Sequence, residues 1–151
     1  MANSQAMCTS FKTQILSGVH ALGTTVTRGS TAADSLKAAL YLASASLGAG
    51  TTVYSASGEV SGTNYTAGGV AVTNATAPTS SGTTAYWTPS ASFTFTNVTL
   101  STSFDAVLVY NSTQGDKAIS VHTFGAQTVT AGNFVLSMPT NDASNALLRI
   151  A

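Results

Sequence analysis

Apolar positions follow two different rhythms along this chain. From Thr9 onward, Phe11, Ile15, Leu16, Val19 and Leu22 recur at the spacing of one helix face. Thr9 or Ser10 supplies the N-cap and Gly23 a C-terminal stop, so the stripe predicts one short helix. Gly18 inside it weakens the helix by about 1 kcal/mol relative to alanine. Residues 1–8 are polar and irregular and predict a flexible arm. The run 24–35, rich in Thr, Ser, Gly and Ala, predicts a loop.

Leu36 to Leu47 reads two ways. Its alanines favour helix, whereas Leu36, Ala38, Leu40 and Leu42 alternate with Lys37, Ala39 and Tyr41 as in a strand. Beyond Gly48 the rhythm is that of strands and turns. Gly58, Gly62 and Gly68-Gly69 punctuate short Val/Tyr/Thr segments, and Val70 to Thr76 alternates apolar with polar. Phe93, Phe95 and Val98 to Leu100 predict a strand, with Pro89 barring the middle of a ladder just before it. Ala106 to Tyr110, the polar run 111–116, and then Ala118, Ile119 and Val121 form the pattern of a hairpin with an extended loop. Val129, Phe134, Val135, Leu136 and Met138 predict a further pair around an Ala131-Gly132-Asn133 turn, and Leu147, Leu148 and Ile150 a terminal strand. Short strands about ten residues apart predict a mainly β fold: an antiparallel β-sandwich or jelly roll with one short N-terminal helix. The expected organisation is an arm over 1–8 and a single β-sandwich domain over 9–151.

Charge changes the picture more than any motif. Only 7% of the 151 residues are charged, where about 25% is usual. Five Lys/Arg balance five Asp/Glu, so no basic patch forms, and neither nucleic acid nor an anionic membrane is expected as a partner. With 20 Ser and 25 Thr, the hydrophilic surface has to be built from hydroxyls and amides. Such a surface offers little electrostatic resistance to self-association. The best apolar run, Ala38 to Ala43, falls far short of the ~18 residues that span a bilayer. The N-terminus lacks a basic run before an apolar stretch and a small-x-small site, so no signal peptide is expected and synthesis in a cytoplasm is. The single Cys8 excludes an intrachain disulfide and a multi-cysteine metal site.

Candidate chemistry is sparse. His122 with Asp105 or Asp116 could orient a serine nucleophile, but 45 Ser/Thr side chains place some hydroxyl near some histidine by chance. No Gly-x-Ser-x-Gly elbow marks one out. His20 belongs at the polar edge or the C-terminal end of the predicted helix. The carboxylates Asp34, Glu59, Asp105, Asp116 and Asp142 could pair for glycoside hydrolysis; their turn-like neighbours favour turn formation and capping. Asp116 or Asp142 with Asn141 lacks the Asp-x-Asp-x-Asp pattern of a calcium loop. The glycine clusters lack the endings of phosphate-binding loops. The Asn-x-Thr triplets at Asn64, Asn74, Asn97 and Asn111 are what so Thr-rich a chain produces by accident. Tyr54, Tyr65, Tyr86 and Trp87 lie in or near predicted loops; Tyr86-Trp87 is the pair best suited to stack on a sugar, and packing is the competing role. No catalytic, cofactor-binding or metal-ligating residue is assigned, no cofactor is expected, and the chain is not read as an enzyme.

Three segments carry a family resemblance. Met7-Cys8-Thr9-Ser10-Phe11-Lys12 with Leu16-Ser17-Gly18-Val19-His20, the block Thr51 to Thr73, and the ending Pro139 to Ile150 resemble small accessory virion proteins of tailed bacteriophages, of decoration, cement or head-fibre type. The segment matching Leu36 to Leu42 is usually a β-rich strand there, which tips that stretch toward strand despite its alanines. The resemblance implies a virion structural protein, foremost a capsid cement or decoration protein. Its implied partners are the major capsid protein or other virion proteins, and it would itself be a homo-oligomer, a trimer at three-fold lattice positions. A tail, collar or fibre component with host-surface or carbohydrate binding is the alternative.

Overall fold

In the computed structural model, which describes residues 3–16, 19–23 and 32–151, the chain is mainly β. In chain order the elements are β1 (Ala6–Met7), α1 (Thr9–Leu16), β2 (Leu36–Leu42), β3 (Val70–Ala71), β4 (Thr79–Ser81), β5 (Thr84–Trp87), β6 (Phe93–Asn111), β7 (Lys117–Leu136) and β8 (Leu148–Ile150). They form two antiparallel sheets, ordered β1-β7-β6-β2-β3 and β4-β5-β8, in a sandwich-like arrangement.

The stretch Leu36 to Leu42 is a strand, and its burial explains why it read two ways. Ala38, Ala39, Leu40 and Tyr41 are all buried, so both faces are covered and the apolar–polar alternation of a half-exposed strand is lost. On one side β2 pairs with β6, from Leu36 opposite Asn111 to Tyr41 opposite Ala106. On its other side the segment 58–72 closes the edge: Leu42 N–H donates to the Gly58 carbonyl, Val60 N–H to Leu40 and Val72 N–H to Leu36.

The dominant feature is one long hairpin. β6 and β7 run 19 and 20 residues and are joined by the polar turn expected at 111–116. The sequence pattern had split each into two shorter strands. Ser101, Thr102 and Ser103 were the apparent gap in β6, yet they continue the ladder with exposed hydroxyls. The turn expected at Ala131-Gly132-Asn133 does not exist; Gly132 lies opposite Val98 inside the ladder. Register shifts between Phe95, Val98 and Leu100 make this a bulge, with Asn97 and Ala131 at φ 51° and 46°. The same positive-φ residues that signal turns also signal bulges, and composition does not separate them.

The helix begins at Thr9 as expected but ends at Leu16. Val19 to Leu22 are not helical. Tertiary bonds claim them instead: Ala21 N–H donates to Asp34 Oδ2 at 2.7 Å, and His20 sits edge-on to Phe11 with ring centroids 4.8 Å apart. Of the arm expected over 1–8, residues 3–8 lie against the body. Ala6 and Met7 pair with Val121 and Ser120. Asn3 donates to the Leu42 carbonyl and Asp105 Oδ1 and accepts from Leu47 N–H. The loop expected over 24–35 falls largely outside the described residues.

The core lies between the hairpin and its covers. Phe104 and Phe134 meet edge-to-face at 4.9 Å, Phe124 and Phe95 flank them, and Tyr65 stacks on Phe95 at 5.8 Å. The hairpin β4–β5, which the sequence pattern did not single out, brings Trp87 opposite Leu148 of β8. Among the described residues no helix is long and apolar enough to cross a membrane.

Candidate functional site

Three places gather most of the residues that sequence reasoning singled out. The first is Asp34, 3% exposed. Its carboxylate accepts from Ala21 N–H at 2.7 Å, Asn111 Nδ2 at 2.8 Å and Gln114 Nε2 at 3.1 Å. Asn111 Nδ2 also lies 2.9 Å from His20 Nδ1. Burial pushes this carboxyl up, but the hydrogen bonds and the charge of His20 outweigh it and hold it below the ordinary carboxylate range. Asp34 is therefore a buried fastener between the 19–23 segment and the hairpin turn, not the turn-capping residue expected.

The second is Glu59, also buried. It accepts from Tyr54 Oη at 2.6 Å, Tyr65 Oη at 2.7 Å and Gly68 N–H at 2.8 Å. Tyr65 Oη in turn accepts from Leu40 N–H, and Tyr110 Oη donates to the Gly68 carbonyl. Tyr54 stacks on Tyr110 at 4.7 Å. Burial, then the bond to Glu59, raises the Tyr54 and Tyr65 hydroxyls far above their usual range, and burial pushes Tyr41 and Tyr110 up to about 12. These phenols stay neutral donors, and the cluster ties the segment 54–68 to the sheet. Tyr54 and Tyr65 are thus packed network members, and the Asp-or-Glu turn expectation fails for Glu59 as for Asp34.

The third is a cleft of about 680 Å³ bounded by Gln5–Met7, Ser120–His122 and the C-terminal residues Ala146–Arg149. Ser120 Oγ lies 2.8 Å from His122 Nε2. Neither Asp105 nor Asp116 bonds to this ring: Asp105 accepts from Asn3, and Asp116 sits in the hairpin turn with φ 58°. Ser120 is 1% exposed, so its hydroxyl is satisfied inside the protein. Burial pulls the His122 pKa down to about 4, which keeps the ring neutral and able to accept from the serine.

That shift carries a sign. The folded value lies below the unfolded 6.5, so the unfolded chain takes up a proton first as pH falls. Stability is expected to drop by up to about 3 kcal/mol between the two values, and protonation of Asp34 adds to the loss in more acidic solution. Urea midpoints across this window measure it; His122→Gln, which cannot titrate, is expected to flatten the profile by about one proton. Parallel profiles for the two chains would refute the assignment.

The remaining candidates are structural. Trp87 is 2% exposed and its indole N–H donates to the Thr76 carbonyl at 2.8 Å, so it holds the small sheet and offers no stacking face; Tyr86 is half-buried. Asp142 caps its own turn as expected. Its carboxylate accepts from Asn145 and from the Ser144 and Asn145 amides, which hold it below the usual range. Cys8 is buried, and burial pushes its thiol up to about 11, far from a reactive thiolate. Among the described residues no group of three His, Cys, Asp or Glu side chains comes together to hold a metal.

A further feature is a surface rather than a pocket, and sequence reasoning missed it because it split the strands that make it. The distal half of the hairpin is a two-stranded ribbon with Thr94, Thr96, Ser101, Thr102, Thr128 and Thr130 exposed along it. No charged residue occurs between Glu59 and Asp105 or between Lys117 and Asp142. No protein-family model, no curated protein and no solved structure matches this chain.

Proposed function

We propose that the chain is a structural protein of a tailed-bacteriophage virion, and within the virion a capsid cement or decoration protein that binds and stabilises the lattice. The observation that carries this reading is the distal half of the β6–β7 ribbon, which is uncharged and coated with hydroxyls. A preformed lattice presents extended surfaces and strand edges, and a neutral ribbon can bury area against both without charge complementarity. The resemblance of Met7–Lys12, Thr51–Thr73 and Pro139–Ile150 to accessory virion proteins points the same way, with the major capsid protein or other virion proteins as partners.

Quantitative mass spectrometry of purified virions tests it. Hundreds of copies, in a fixed ratio to the major capsid protein, are the expected result. A handful of copies would move the protein to the neck, tail or fibre, and absence from the particle would reject the virion reading altogether.

A further inference from the structure

The free edge of β7 stands out among the described residues. β1 covers only Ser120 and Val121, and no strand pairs with β7 on that side from His122 to Leu136. The opposite edge of the sheet is treated differently, since the segment 58–72 and β3 close β2. An open strand edge is a template for another strand, and proteins normally blunt one with lysine, proline or a covering loop. Here the chain from Ala118 to Asn141 is without charge, and Pro139 comes only after the strand. The bulges near Val98 and Leu100 twist the middle of the ribbon, but Phe134, Val135 and Leu136 face Phe95, Thr94 and Phe93 in unbroken register. Phe134 and Leu136 pack toward the core, while Val135 is 48% exposed.

We propose that the Phe134–Leu136 edge of β7 pairs antiparallel with the same edge of a second copy of this chain, about a two-fold axis near Val135. Main-chain N–H and C=O groups at an edge recognise an extended, neutral strand. This chain supplies one itself, with zero net charge to oppose the approach. Antiparallel pairing of identical edges is self-complementary, so one partner closes it and both edges are used up. Across the axis the two Val135 side chains fall about 5 Å apart and cover each other's apolar surface. The product is a dimer, in place of the trimer the resemblance implies. It rests on the edge alone and not on the virion reading.

Sedimentation velocity of the purified full chain at micromolar concentration tests the pairing. The wild type is expected at twice the monomer mass. Val135→Lys places two like charges across the axis and is expected at the monomer mass, while Val135→Thr, a strand former without charge, keeps the dimer. Near-UV circular dichroism checks that both variants keep native packing, as the exposure of Val135 leads one to expect. A wild type of monomer or trimer mass, or a folded Val135→Lys that stays dimeric, overturns the pairing and leaves the virion copy number to be decided separately.

Discussion

Gly69→Ala is expected to abolish stable folding, a loss of more than about 4 kcal/mol. Two effects act together at this position. Gly69 has φ +73°, a left-handed conformation that costs an L-residue roughly 1–2 kcal/mol. A Cβ placed there would also lie 1.9 Å from the Ala38 carbonyl oxygen and 2.7 Å from Ala39 Cα. Both atoms are main chain of β2, which β6 clamps from the other side, so nothing flexible can move aside. Gly115→Ala separates the two effects. Its φ is +66° and nothing lies within 4 Å of its would-be Cβ, so only the conformational cost of about 1 kcal/mol applies. Urea denaturation followed by circular dichroism compares the pair. Equal midpoints would mean that the segment 58–72 does not press on β2 as described.

That close approach also marks the limit of what the sequence discloses. The glycines at 58, 62, 68 and 69 read correctly as breaks between short segments. What they make possible is a segment laid flush against β2, and that depends on residues about thirty positions apart. The β-rich class, the hairpin centred on 111–116 and the terminal strand were legible because each rests on local alternation and local turn chemistry. The length of β6 and β7 was not. Ser101-Thr102-Ser103 is polar on both faces because the ribbon there is solvated, and a run of that kind looks the same in a loop. The helix was overextended for a related reason: Leu22 fits the helical stripe, but Asp34 and Asn111 hold the 19–23 segment in another conformation.

The candidate residues divide along the same line. Asp142 was legible as a cap, because an aspartate three residues before an asparagine acts within its own turn. Asp34 and Glu59 were not, since their neighbours in sequence are Ala and Gly while their partners come from distant segments. Low overall charge held the clue. In a chain with five carboxylates, each one retained is more informative than in an ordinary surface, and two of the five are buried fasteners. Trp87 and Tyr65 illustrate the converse, aromatics beside turn residues that turn inward, Trp87 onto the Thr76 carbonyl and Tyr65 onto Phe95 and Glu59.

Glu59 gives the second large effect. Glu59→Ala is expected to destabilise the fold by roughly 4 kcal/mol, because one buried and two part-buried donors lose their acceptor at once, each at about 1–3 kcal/mol. They are the Tyr54 and Tyr65 hydroxyls and the Gly68 amide. The damage is expected to spread along one path: Gly68 also accepts from Tyr110, and Tyr65 also receives Leu40 N–H, so amide exchange should quicken in 58–72 and in β2 before it does so in β7. Glu59→Gln discriminates between lost shape and lost acceptors. Its carbonyl oxygen can keep the Gly68 and Tyr65 bonds, and its amide can donate to Tyr54 once that hydroxyl rotates, so a loss of only about 1–2 kcal/mol is expected. Tyr54→Phe combined with Glu59→Gln then leaves the new amide without an acceptor and is expected to be less stable than the sum of the two single changes. Strict additivity in that cycle, or an alanine variant as stable as the glutamine one, would show that the network does not hold the segment to the sheet.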